Sequence, residues 1–222
     1  MTYIILILTV FAGLFVAYAL NGKEFKYLSL LLAFSGAFLL AITLFELLPE
    51  VYTIPSKEIG VYIVLGILLQ ICLEFFSKGA EHGHVHIHSE TKRFPLLLFL
   101  SLSLHAGLEG FPIADNHSMF IGVLIHKLPI AMILSLFFIK AGYKRSTTII
   151  FLVLFALMTP IGAFIASNSL IAPDVLTKIN ALVIGIFLHV STTILFESSR
   201  DHKFNLAKLL TIILGFLLAY IL

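Results

Sequence analysis

Residues 94–115 read FPLLLFLSLSLHAGLEGFPIAD, an apolar run that contains His105, Glu109 and Pro112. The run is long enough to cross a bilayer, because a spanning helix needs about 20 mostly apolar residues. An ionisable side chain at bilayer depth is costly unless it faces a partner or a cavity. The stretch therefore predicts a membrane helix that carries a functional site.

The composition of the whole chain agrees with a membrane setting. Of its 222 residues 60% are hydrophobic and 12% are charged, and the mean hydropathy is +1.09, whereas soluble domains carry about 25% charged residues. Eight stretches reach spanning length, at about 3–20, 27–48, 59–77, 94–114, 118–139, 146–166, 178–197 and 205–222. We expect an all-α integral membrane protein with eight transmembrane helices, as one domain over residues 1–222, with no soluble domain and no nucleic-acid partner.

Basic residues are distributed unevenly between alternate loops. The odd-numbered loops hold eleven of them, namely Lys23, Lys26, Lys78, Lys92, Arg93, Lys140, Lys144, Arg145, Arg200, Lys203 and Lys208. The even-numbered loops hold only Lys57 and Lys178. Short cytoplasmic loops carry an excess of Lys and Arg. We therefore expect a multi-pass protein of the cell membrane with both termini outward, and one basic residue, Lys127, inside a span.

Several ionisable side chains fall within the predicted spans. Those deep in a span are His105, Glu109, His126, Lys127 and His189, and those nearer an end are Glu46, Glu74 and Glu197. Such groups favour a functional hypothesis. A polar contact between helices remains open for His189, and extension of the side chain to the membrane surface remains open for Glu74 and Glu197.

The fourth and fifth spans are predicted to bring metal ligands together. His105 and Glu109 stand four residues apart, on one helix face. The short link DNHS predicts an antiparallel hairpin that places His105 and His126 level near the bilayer midplane, with Gly122 opposite Glu109. Two imidazoles and a carboxylate suit Zn²⁺, and less selectively Fe²⁺, Mn²⁺ or Cd²⁺. The ion is expected as a transported substrate, and no cofactor is expected.

Two prolines follow these candidate ligands. Pro112 comes three residues after Glu109, and Pro129 comes three residues after His126. Proline removes a helical hydrogen bond, and transporters use discontinuous helices at their substrate sites. Both helices are therefore predicted to be broken beside their ligands.

The third loop, about 78–93, reads KGAEHGHVHIHSETKR and is predicted to be cytoplasmic. Its alternating histidines are His82, His84, His86 and His88. Histidine-rich tracts bind transition metals through neutral imidazole. A polar linker without metal is the alternative.

Several motifs together resemble the ZIP family of divalent-metal transporters. They are HAGLEG at 105–110, HKLP at 126–129, FELLPE at 45–50, TPIGA at 159–163 and the histidine-rich loop. The resemblance implies that His105 and Glu109 are transport-site ligands and that His126 is the leading histidine of the fifth-span motif. It also implies two inverted three-helix units that flank spans four and five, and it leaves a homodimer open.

The chain differs from the family pattern at several positions. Ala106 stands where many members have Asn, Lys127 where many have an acidic residue, and Ile130 where a further ligand often lies. The His-Lys pair resembles one branch of the family. Its ammonium group is expected to contact Glu109 or another carboxylate and to leave room for one metal ion. Glu46 stands where the second span usually has His, which fits an acidic outer vestibule with Glu50.

We therefore predict a transporter, not an enzyme, that moves a divalent transition metal, foremost Zn²⁺, toward the cytoplasm. Its partners are the ion and the lipid bilayer, and Glu46 and His189 are further candidate ligands. A non-transporting metal-binding membrane protein is one alternative, because Ile130 replaces a ligand. An intramembrane metalloenzyme with the same ligands is another, although the chain has neither HExxH nor a nucleophile elbow.

Overall fold

The protein folds as a bundle of helices. A computed structural model describes residues 2–20, 23, 25–53, 56–77, 94–168, 170–197 and 206–222. These residues form eight helices and no strand, and the helices are α1 Thr2–Ala19, α2 Leu28–Val51, α3 Lys57–Ser77, α4 Leu96–Leu108, α5 His117–Lys140, α6 Arg145–Ser167, α7 Pro173–Glu197 and α8 Leu206–Ile221. Five of them, α2, α3, α5, α6 and α7, are long and apolar enough to cross a membrane. The predicted all-α membrane architecture is confirmed.

The helix boundaries differ from the sequence prediction at two places. Helix α4 ends at Leu108, not near residue 114. Pro112 has no N–H to donate to the Leu108 carbonyl, and glycines at 107 and 110 weaken the helix further. Helix α7 starts at Pro173 instead of 178, because proline is well tolerated in the first turn of a helix, where its missing N–H has no helical partner.

The helices pack in matched pairs. Helix α3 runs along α7 and α2 along α8, while α1 packs on α5 and α4 packs on α6. These four pairs are related by a simple exchange of helices. If α1, α2 and α3 are exchanged with α6, α7 and α8 in that order, and α4 with α5, the same four pairs are obtained. This correspondence favours the two inverted three-helix units, which stay a prediction.

The contact between α3 and α7 depends on two glycines. A Cβ atom added to Gly66 would lie 1.9 Å from the Leu182 carbonyl oxygen, and one added to Gly185 would lie 2.0 Å from the Ile63 carbonyl oxygen. The two backbones therefore touch directly, as is common where small residues join membrane helices. This contact fixes which face of α3 is turned into the bundle.

The fraction of buried residues in each helix shows which helices lie at the centre of the bundle. In the most apolar part of each helix, 72% of the residues are buried in α5 but only 22% in α3. Helix α5 is therefore central and α3 peripheral. Large exposed apolar side chains, such as Phe15, Phe75 and Phe196, suit a surface that faces lipid, where hydrocarbon tails surround the helices.

Candidate functional site

A small cavity lies between the end of α4 and the middle of α5. It has a volume of about 10 Å³, which is close to the space that one water molecule requires. Its walls are formed by Leu102, His105, Glu109, His126, Lys127, Ile130 and Phe155. Three predicted metal ligands, His105, Glu109 and His126, thus line one buried cavity.

The end of α4 shapes one wall of the cavity. The Glu109 N–H still donates to the His105 carbonyl at 3.0 Å, whereas the Gly110 N–H donates to the Gly107 carbonyl at 3.2 Å, three residues back. The helix therefore tightens and stops, and the chain continues in turns to Asp115. The predicted break of the fourth span beside Glu109 is confirmed.

The predicted break of the fifth span is wrong. Helix α5 runs without interruption from His117 to Lys140, with Pro129 in its interior. Pro129 removes only the hydrogen bond to the Ile125 carbonyl. The helix has at least two turns on each side of the proline and is the most enclosed of the five long spans, so packing keeps it continuous.

A buried ion pair occupies the cavity wall. The Lys127 ammonium contacts the Glu109 carboxylate directly, and their side chains are only 2% and 3% exposed. The Thr159 hydroxyl donates to Glu109 Oε1 at 2.7 Å and accepts from Lys127 Nζ at 2.6 Å. The ammonium also lies 5.1 Å from the centre of the Phe155 ring. The expected contact between Lys127 and Glu109 is confirmed.

Thr159 reaches this pair because α6 touches α4 closely. A Cβ atom on Gly162 would lie 1.9 Å from the Gly107 carbonyl oxygen, and one on Gly110 would lie 2.3 Å from the Thr159 carbonyl oxygen. Only glycine at these two positions allows the backbones to meet. The TPIGA segment of α6 therefore holds the Thr159 hydroxyl against Glu109.

His105 is held from two sides. Its Nδ1 atom lies 3.0 Å from Gln70 Oε1 on α3, and its Nε2 atom lies 3.7 Å from Glu109 Oε2. Gln70 and His105 are both buried. The ring is thus oriented with one nitrogen toward α3 and the other toward the carboxylate.

The fourth- and fifth-span motifs predict a donor set of two imidazoles and a carboxylate, and the cavity contains these three groups with the Lys127 ammonium beside them. The ZIP zinc transporter family matches residues 77–222, which is more than half of the chain. The chain belongs to the ZIP family. The motif resemblance stated from the sequence is confirmed at this level, and the His-Lys branch stays a prediction.

Relatives of this ZIP chain include three fish proteins. Zinc transporter ZIP1 of Danio rerio is 27% identical over 154 residues, which cover 62% of this chain and 50% of that protein. Zinc transporter ZIP1 of Takifugu rubripes is 28% identical with the same coverage. Zinc transporter ZIP9 of Micropogonias undulatus is 28% identical over 154 residues, or 60% of this chain and 49% of that protein. The chain spans about half the length of the curated relatives it matches.

The predicted hairpin register is wrong in one respect. A Cβ atom on Gly122 would meet Leu39 and Ile42 of α2 at 3.7 Å, so Gly122 faces α2, and Lys127 is the residue that meets Glu109. Counting residues from the turn assumed helical rise up to residue 115, but the chain leaves the helix at Leu108.

Two further candidate ligands lie away from the cavity. Glu46 is exposed and belongs to a π-helical turn, Thr43–Leu47, within α2. His189 is half-buried on α7, and its Nε2 atom lies 2.7 Å from Glu74 Oε2 on α3. Neither residue lines the cavity, so their predicted roles as metal ligands stay predictions about other parts of a pathway.

Glu50 at the end of α2 has a structural contact. Asn116 caps the first turn of α5 by accepting from the Met119 N–H at 2.9 Å, and its amide donates to Glu50 Oε2 at 3.2 Å. The end of α2 is thereby tied to the start of α5. The loop histidines His82, His84, His86 and His88 and the side chain of Glu197 lie outside the described residues.

Two residues of the site were missed by the sequence reasoning. Gln70 carries no charge and so does not stand out among the ionisable side chains of the spans, although a buried amide in a span also requires a partner. Thr159 stood in a quoted motif without an assigned contact. Gln70 is the only amide side chain in α3, which is the signal that could have found it.

The three predicted ligands do not form a preassembled metal site. Within the residues that the structure describes, no group of three His, Cys, Asp or Glu side chains stands ready to hold one metal. The Lys127 ammonium instead provides positive charge at Glu109. A metal ion that binds Glu109 must therefore displace or share this ammonium.

Proposed function

We propose that this chain transports divalent transition-metal ions across a membrane, with Zn²⁺ as the first substrate. Fe²⁺, Mn²⁺ and Cd²⁺ are the alternatives, since borderline metals accept the same imidazole and carboxylate ligands. The observation that carries the proposal is the buried Glu109 carboxylate, which shares a cavity with His105 and His126 and already contacts a cation. A carboxylate at this depth requires positive charge, and a passing dication supplies it.

The proposed site holds one ion. His105 and His126 contribute neutral imidazoles and Glu109 contributes the negative charge. Lys127 balances Glu109 while no ion is bound, and its fixed charge disfavours a second dication nearby. Ile130 supports the same stoichiometry, because it gives the cavity an apolar wall where many relatives are expected to have a ligand.

The proposed pathway runs from outside to the cytoplasm. Glu46 and Glu50 are exposed at the end of α2 and attract cations at the predicted outer surface. Glu74 and His189 form an acid-imidazole pair that an ion can meet on its way inward, and the histidine-rich loop at about 78–93 is proposed to bind ions in the cytoplasm. We also propose the cell membrane as the location, outward termini and a homodimer.

The test is metal uptake by the purified chain in sealed liposomes. Liposomes with the wild-type chain should take up Zn²⁺ faster than empty ones. His105→Ala, Glu109→Ala and His126→Ala should each reduce uptake by about tenfold or more, since even an outer-shell contact of a metal ligand is worth about 10- to 100-fold in affinity.

Glu58→Gln is the matched control. Glu58 forms a half-exposed ion pair with Lys178 at 2.9 Å, so this variant also removes a paired carboxylate, but far from the cavity. It should transport like wild type. Uptake by His105→Ala and Glu109→Ala equal to that of Glu58→Gln would contradict the site, and wild-type uptake equal to empty liposomes would contradict the transport function.

A non-transporting metal-binding protein is the second candidate. The apolar Ile130 side chain at the cavity favours it, because this position cannot coordinate an ion. The two functions separate in one comparison: Zn²⁺ binding by the purified chain without uptake into liposomes supports this alternative. Membership in the ZIP family speaks against an intramembrane metalloenzyme.

A further inference from the structure

Gln70 on α3 forms a hydrogen bond with His105, a proposed metal ligand in the cavity. Helix α3 is the least enclosed of the five long spans, yet Gln70 is 0% exposed. It lies one turn after Gly66, whose backbone touches α7. Because that contact fixes the rotation of α3, the amide of Gln70 is held against His105 and not turned toward lipid.

In the hydrogen bond between Gln70 and His105, the atoms that face each other indicate which side chain donates and which accepts. Gln70 Oε1 lies 3.0 Å from His105 Nδ1, and a carbonyl oxygen can only accept a hydrogen bond. With this orientation of the Gln70 amide, the matching tautomer of the neutral imidazole carries its proton on Nδ1 and keeps a lone pair on Nε2. The Nε2 atom is the one that faces Glu109, 3.7 Å from Oε2.

We propose that Gln70 is a positioning residue for metal transport, which fixes His105 in the tautomer whose Nε2 atom can bind the ion. This inference rests on the proposed function of His105 as a ligand. The hydrogen bond that one ring nitrogen makes determines which nitrogen remains for a metal, and such outer partners also orient the ring. Orientation matters here because His105 lies in the last turn of α4, next to the helix end.

The proposal is tested on the purified chain with two readouts. The first is ¹⁵N NMR of histidine-labelled protein without metal, in which the His105 signal is assigned by its loss in His105→Ala. The proton should be found on Nδ1 in the wild type. In Gln70→Met, which has a similar shape but no acceptor, the His105 signal should report both tautomers.

The second readout is Zn²⁺ affinity. Gln70→Met should bind Zn²⁺ about 10- to 100-fold more weakly than wild type, whereas Gln70→Glu keeps an acceptor and should recover most of the affinity. Ser77→Ala is the matched control, since Ser77 is also buried on α3 and its hydroxyl donates to a carbonyl of the same helix, that of Glu74, at 3.2 Å. It should bind Zn²⁺ like wild type.

The outcomes separate this inference from the proposed function. If His105→Ala binds Zn²⁺ as wild type does, the proposed site fails. If His105→Ala weakens binding but folded Gln70→Met does not, the role of Gln70 is overturned. A proton on Nε2 in the wild type overturns it as well, and this result does not depend on the folding of any Gln70 variant.

Discussion

The ammonium group of Lys127 on α5 rests directly on the carboxylate of Glu109 at the end of α4, and both side chains are almost completely buried. Separating two buried opposite charges is costly unless another charge replaces the one removed. A dication that arrives at Glu109 provides such a replacement. The Lys127 ammonium is therefore the expected competitor of the proposed substrate at Glu109.

Removing this competitor should strengthen metal binding. In Lys127→Met a dication no longer has to displace an ammonium from Glu109, so the Zn²⁺ affinity should rise by about tenfold, or ~1.4 kcal/mol, and release should slow. In Lys127→Glu a second carboxylate should allow a second ion. Stoichiometry and affinity on purified protein at neutral pH measure both effects.

The control for these variants is Lys178→Met, which removes the half-exposed partner of Glu58 and should bind one ion with wild-type affinity. If Lys127→Met and Lys127→Glu also bind one ion with wild-type affinity, then Lys127 does not compete with the metal. The proposed role of Lys127 in limiting the site to one ion would be withdrawn.

The hydroxyl of Thr159 should stabilise the protein without metal. It bonds both Glu109 and Lys127, and a hydrogen bond to a charged group is worth about 1.5–3 kcal/mol. Thr159→Val has the same shape but no hydroxyl, so its free energy of unfolding should fall by about that amount, whereas Thr159→Ser should stay near wild type. Thermal unfolding in detergent measures the difference, and equal stability of Thr159→Val and wild type would be the contrary result.

Much of the fold could be predicted from the sequence, because a membrane helix is identified by the apolar composition and the length of one continuous segment. All eight helices were expected, and seven begin within about two residues of the predicted position. The exception is α7, where Lys178 suggested a loop. The end of α4 was misjudged because an apolar run continues past Leu108 although Pro112 stops the helix.

The site was predictable where it depends on spacing within one helix or on the short link between α4 and α5, which brings His126 and Lys127 to the same cavity. His105 and Glu109 share a face because they are four residues apart. The partners that complete the site, Gln70 on α3 and Thr159 on α6, come from distant parts of the chain. Their approach depends on glycine contacts between helices, which no local pattern reveals.

The loop histidines should tune transport and not create it. A flexible tract cannot hold ligands in a fixed geometry, so changing His82, His84, His86 and His88 together to Ser should leave initial Zn²⁺ uptake measurable. The concentration of Zn²⁺ at half-maximal uptake should shift. Complete loss of uptake, with normal insertion into the membrane, would place the loop in the pathway itself.

The glycine contact between α4 and α6 should be required for both stability and transport. In Gly162→Ala the new methyl group would lie 1.9 Å from the Gly107 carbonyl oxygen, so the helices must separate. That movement draws Thr159 away from Glu109 and opens the cavity wall. We expect a lower unfolding temperature in detergent and a marked loss of Zn²⁺ uptake in liposomes.

Gly107→Ala is the matched control, because it adds the same methyl group to the residue across the contact. A Cβ atom on Gly107 meets nothing within 4 Å, and alanine favours a helix over glycine by about 1 kcal/mol. This variant should be at least as stable as wild type and should transport Zn²⁺ normally. If Gly162→Ala behaves like Gly107→Ala, the close approach of α4 and α6 does not hold Thr159 at the site. Thr159 could not then account for how Glu109 and Lys127 are held.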